Sequence, residues 1–145
     1  MLRRILPIAL LPLLTGCIND GAAYRIDGPH HAVSVVREQN LFWEKKVKLA
    51  VVAARMPDCQ RKHPLQEASL ATPIELWQPG PGTFILKIGK NMYVTETRTC
   101  LGFARMTEEP PGGFGVHLGT FAVKNDVFVF TPLAKPEEAV AAVAP

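Results

Sequence analysis

The side chains able to do chemistry in this 145-residue chain are few and scattered. Cysteines stand at 17, 59 and 100, histidines at 30, 31, 63 and 117, and the only serines are Ser34 and Ser69. Cys59, His63, Cys100 and His117 contain the atoms of a Cys₂His₂ zinc set, but their spacing matches no finger. Neither serine lies in a Gly-x-Ser-x-Gly elbow. Glu108-Glu109 precedes Pro110-Pro111-Gly112-Gly113, and Glu137-Glu138 lies in the C-terminal tail. Such pairs serve glycoside hydrolysis only when folding sets them on either side of the scissile bond. Otherwise they are solvated charge. His30-His31 follows Pro29 with no acidic or thiol ligand beside it, and reads as a solvated pair at a strand start. The expectation is therefore no metal, no cofactor and no catalytic residue. A hydrolase using two converging carboxylates, or His63 with His117, is the alternative.

The strongest pattern is at the start. Arg3 and Arg4 form a positive region, and Ile5–Leu14 is an apolar run too short to span a bilayer, which takes roughly 20 residues. It ends in Leu14-Thr15-Gly16-Cys17, which resembles the lipobox of bacterial lipoproteins. Small Thr15 and Gly16 would let a peptidase reach the backbone, and Cys17 would supply a nucleophilic sulfur for the lipid. The resemblance implies cleavage before Cys17, palmitate-type acylation there and a membrane anchor. Ile18 in place of Asp after the cysteine resembles the pattern sorted to the periplasmic face of the outer membrane. It covers residues 1–17 only, and no family is recognised in residues 18–145.

Loss of Met1–Gly16 would remove two arginines and no acid, lowering the formal charge from +3 to +1. A nearly neutral domain gives no reason to expect nucleic acid. With Cys17 taken by lipid, Cys59 and Cys100 remain as an even pair in an oxidising compartment, so the resemblance implies a structural disulfide. No Cys-x-x-Cys spacing suggests redox chemistry.

At 48% hydrophobic and 20% charged residues, the chain is expected to fold as one domain. Residues 17–31, with Asp20-Gly21 and Asp27-Gly28-Pro29, read as a lipidated N-terminus and tether. Residues 32–132 read as the domain and residues 133–145 as a disordered Ala/Pro tail, with a marginal helix over Glu137–Val143. Ala32–Val36 is a strand candidate. Leu41–Ala54 fits both periods, but its recurring valines favour a strand closed by Pro57. Gly89-Lys90 sets a II′ turn that places Leu86 opposite Tyr93 and Phe84 opposite Thr95. Apolar residues on both faces predict that this hairpin is central. Asn125-Asp126 sets a second hairpin, with Phe121 opposite Phe130 and Val123 opposite Phe128. The fold class is mainly β: a small antiparallel sandwich or barrel stapled by one disulfide, with room for one short helix over Gln60–Leu70. The staple suggests that Leu41–Ala54 and the central hairpin are neighbours.

The basic stretch Arg55…Arg61-Lys62-His63 surrounds Cys59 and could meet anionic headgroups, peptidoglycan carboxylates or an acidic partner. Trp43 and Trp77 read as core or core-rim residues, and Trp77–Gly82 and Glu108–Phe114 as exposed loops. Arg61, Lys62 and Trp77 are the candidate partner contacts. The expected function is a non-catalytic binding or accessory module of the bacterial cell envelope, serving an envelope protein or peptidoglycan. A carrier of small apolar ligands is a further alternative.

Overall fold

The computed structural model describes residues 17–133. The expected signal segment 1–16 and tail residues 134–145, including the Glu137–Val143 helix, lie outside them. Ten strands follow one another: β1 Asn19–Arg25, β2 His31–Glu38, β3 Lys46–Arg55, β4 Cys59–Ser69, β5 Ile74–Gly80, β6 Thr83–Ile88, β7 Asn91–Glu96, β8 Phe103–Met106, β9 Val116–Lys124 and β10 Val127–Pro132. They form two antiparallel sheets, ordered β1-β2-β3-β4 and β10-β9-β5-β6-β7-β8. This is a β sandwich.

Both hairpins take the register that their turn residues dictate. Gly89 has φ +60°, and Ile88 faces Asn91, Leu86 faces Tyr93 and Phe84 faces Thr95. Asn125 and Asp126 both have positive φ, the conformation of a I′ turn, and Phe121 faces Phe130 while Val123 faces Phe128. Phe121 and Phe128 are buried and Phe130 half-buried, whereas Val123 sits exposed at the rim.

Alternation along the strands sends one side chain in two between the sheets. Val33, Val35, Val47, Leu49 and Val51 of the first sheet meet Ile74, Leu76, Phe84, Leu86, Ile88 and Phe121 of the second. Burying each such large side chain contributes roughly 1.5–3 kcal/mol, so this layer is the main source of stability. Tyr24 packs on Phe130 at 5.2 Å, closing the side where β1 lies against β10.

The central hairpin is partly apolar on its outer face as well, where Ile85 is covered. The return from β8 at one edge to β9, beside β5, brings Phe114 to 5.7 Å from Trp77 on the outer face. Ile85, opposite Trp77, is 1% exposed. Gly115 completes the return at φ +77°, where a Cβ would lie 2.2 Å from the Gln78 carbonyl oxygen. No larger residue fits there.

Three expectations are corrected. Gln60–Leu70 is not a helix but most of β4. Pro64 costs a helix interior roughly 3 kcal/mol, whereas an edge strand has a side that needs no N–H donor. It lies at a register shift between β3 and β4. The segment 17–31 is not a tether. β1 pairs with β2 from Asn19↔Glu38 to Arg25↔Ala32, and Ile18, Ala22, Tyr24 and Ile26 pack against the core. Lastly, β3 and the central hairpin are not neighbouring strands. Cys59 opens β4 in one sheet and Cys100 follows β7 in the other, so the disulfide joins the two layers.

Candidate functional site

Cys17 stands two residues before β1, exposed and in no disulfide. Its Sγ lies 3.1 Å from the carbonyl oxygen of Asn40, while the Gln39 N–H donates to the Ile18 carbonyl at 2.8 Å. The chain at Cys17 is thus seated beside the end of β2. Three residues on, both Asp20 carboxylate oxygens accept from Arg37, through Nε and Nη2, at 2.7 Å each. Arg37 is 5% exposed, stacks its guanidinium 4.3 Å above Phe128 and donates to the Leu70 carbonyl. A buried guanidinium is tolerable only when paired and hydrogen-bonded in this way. The pair fixes the entry of the chain into the fold.

The connection from β2 to β3 closes next to Cys17. Glu44 N–H donates to the Leu41 carbonyl at 3.0 Å, and the buried Gln39 side-chain amide donates to the Glu44 carbonyl. This turn carries Phe42 and Trp43 at its tip, 56% and 63% exposed. Trp43 is therefore neither core nor core rim, a correction that follows from its place in a turn beyond the end of the sheet. Behind the turn lies a shallow groove of about 350 Å³ lined by Lys45, Lys46, Lys48, Glu38, Glu44 and Glu67. The hydrogen bond and charge of Lys62, at 2.8 Å, hold Glu38 below the ordinary carboxylate range. Glu38 is thus the ion-pair partner of Lys62.

The opposite end carries the Cys59–Cys100 disulfide. Cys100 has φ +60°, which its loop sustains through one carboxylate. Glu96 accepts from the N–H groups of Arg98, Thr99 and Gly102 and from the Thr99 hydroxyl, at 2.5–2.9 Å. Partial burial alone would raise its pKa, but the hydrogen bonds from Thr99, Gly102 and Arg98 outweigh this and lower it to about 2. Glu96→Gln should cost about 1–2 kcal/mol at pH 7, because the amide presents a donor where donors already converge. A depressed folded pKa stabilises above the unfolded value, near 4.5, and that contribution is lost as pH falls through 4.5 toward 2. The gap between wild type and variant in urea midpoint should therefore be full at pH 7 and small near pH 2. Equal midpoints at pH 7 would contradict it.

His31 and His63 brace this end. His31 is half-buried, not solvated, with Nε2 2.9 Å from the hydroxyl of Thr97, in the loop that follows β7. His63 Nε2–H donates to the Cys100 carbonyl at 2.7 Å while its ring stacks on Phe103 at 4.7 Å. His117 lies on the outer face of the other sheet, stacked on Trp77 at 4.3 Å. His63 and His117 do not converge, and the sulfurs of Cys59 and Cys100 are joined to each other. Between the sheets pack the core side chains of both layers.

The three expected contacts do not form one site. Arg61 and Lys62 are exposed neighbours on β4 and point to opposite faces of the strand. Lys62 is committed to Glu38. Trp77 is part of β5 and half-buried, with Lys87 bracing the Trp77–Phe114 cluster at 4.6 Å from the Phe114 ring. The residues that sequence reasoning missed are Leu41, Phe42 and Trp43. Their signal was three large apolar residues between Asn40 and Glu44-Lys45-Lys46, where a connection is ordinarily polar. No protein-family model matches this chain, and no curated protein and no solved structure matches it.

Proposed function

We propose that this chain is a lipid-anchored lipoprotein of the bacterial cell envelope, whose β sandwich serves as a non-catalytic binding or accessory module. The observation that carries the reading is Cys17. It completes Leu14-Thr15-Gly16-Cys17, and its thiol is exposed and free while the other two cysteines are bonded together. The disulfide agrees with an oxidising compartment. Ile18 after the cysteine supports the outer-membrane, periplasm-facing form of the reading. The partner is an envelope protein or peptidoglycan, met by a rigid sandwich with charged strand edges.

Crosslinking in intact cells, followed by mass spectrometry of what the tagged protein captures, tests this role. Cys17→Ala serves as the mislocalised control. A partner recovered with the wild type and lost with the control supports an accessory module. Reproducible capture of nothing, together with hydrolysis of an envelope polymer by the purified protein, would overturn it in favour of an enzyme.

A further inference from the structure

We infer that the Leu41–Glu44 turn is a second membrane contact, placing Leu41, Phe42 and Trp43 in the interfacial layer of the bilayer that holds Cys17. The inference rests on the lipoprotein reading and adds an orientation to it. Its first support is position. The sulfur that would carry the lipid lies 3.1 Å from the carbonyl of Asn40, the residue preceding the turn. Wherever acyl chains on Cys17 enter a membrane, this turn meets the same surface.

The second support is the exposure itself. Leu41, Phe42 and Trp43 are 41%, 56% and 63% exposed, and the two aromatic rings contact each other edge-on at 4.8 Å. They are not loosely held. The Leu41 N–H donates to the Glu44 carboxylate, the Glu44 N–H donates to the Leu41 carbonyl, and buried Gln39 grips the turn from below. A contiguous apolar patch presented on an ordered turn marks a surface that something covers.

Charge selects a lipid surface as the cover. Lys45 and Lys46 adjoin the aromatic tip, both exposed, and neither lies within 4.0 Å of a carboxylate among the described residues. Of the nearby acids, Glu38 is engaged by Lys62 and Glu44 faces the Leu41 N–H, while Glu67 lines the groove behind. Aromatic side chains at headgroup depth flanked by lysines suit a bilayer interface, and free ammonium groups suit anionic headgroups. With the anchor and the turn both engaged, the domain has one orientation on the membrane.

The test uses the acylated protein as purified from membranes, reconstituted into vesicles of phosphatidylethanolamine and phosphatidylglycerol, with plain or brominated acyl chains. Intact mass and flotation report acylation and attachment, and tryptophan emission reports the turn. Interfacial insertion carries side chains roughly 5–10 Å below the surface, so bromines should lower Trp43 emission about twofold. Trp43→Phe should remove most of that quenching, leaving Trp77 as the unquenched remainder. Vesicles that float with acylated protein but quench wild type and Trp43→Phe alike would overturn the inference and leave the anchor standing. Protein that neither carries acyl chains nor floats would overturn both.

Discussion

Replacing Cys17 by Ala is expected to abolish acyl labelling: cells fed an alkynyl palmitate should label the wild type and leave the variant blank. The proposed chemistry needs a thiolate, and the other two cysteine sulfurs are bonded to each other. The loss would not be a folding effect. Cys17 is exposed, and among the described residues its sulfur hydrogen-bonds to the Asn40 carbonyl, so the change belongs with surface substitutions, worth within about 0.5 kcal/mol. Attachment should change more steeply. One myristoyl-length chain binds membranes at about 10⁴ M⁻¹, and two or three chains hold almost irreversibly. Without them, the turn at Leu41–Glu44 and an apolar run shorter than the roughly 20 residues of a span remain. Alkaline carbonate should therefore extract the variant and spare the wild type. Persistent label on the variant would remove the lipoprotein reading.

The double substitution of Cys59 and Cys100 by Ala should have the largest effect on stability. The bridge closes 41 residues of sequence separation, which by the chain-entropy argument stabilises the fold by about 4 kcal/mol. A domain of this size has roughly 5–15 kcal/mol in total. The expected fall in Tm is roughly 15–20 °C, and reductant should bring the wild type to the same value. The location adds to the argument. The bridge joins facing layers and seats Cys100 where His63 reaches its carbonyl, so its loss also loosens the His63–Phe103 stack. A Tm unchanged within about 2 °C would show that the hydrogen bonds of Glu96 and His63 hold this end unaided.

What could be read from the residues was local. Gly89-Lys90 and Asn125-Asp126 fix strand register within a few residues, and every cross-strand pair expected of them is present. Both faces of Phe84–Ile88 are partly apolar, the mark of a central strand. What was misread has identifiable causes. Ile18, Ala22, Tyr24 and Ile26 share an alternating phase, but Asp20-Gly21 among them resembles a turn and concealed β1. Gln60–Leu70 is polar and of mixed period because β4 buries only Ala68, so it resembled a helix despite Pro64. The disulfide could be paired by counting, yet which layers it joins depends on the crossing between sheets, and that is a long-range property. Glu96 gave no signal, since its four donors come from a loop whose shape it helps to create.

The early start of β1 sets the reach of the molecule. A flexible leader over residues 17–31 would have let the domain sweep out tens of ångströms, at up to about 3.3–3.6 Å per extended residue. With Asn19 already paired to Glu38, almost none of that radius exists. An acylated Cys17 would make the sandwich a fixture of the membrane surface, searching in two dimensions by lateral diffusion. Any partner must then come within the height of the domain itself, so the spacing between membrane and partner would be set by folded protein rather than by a linker.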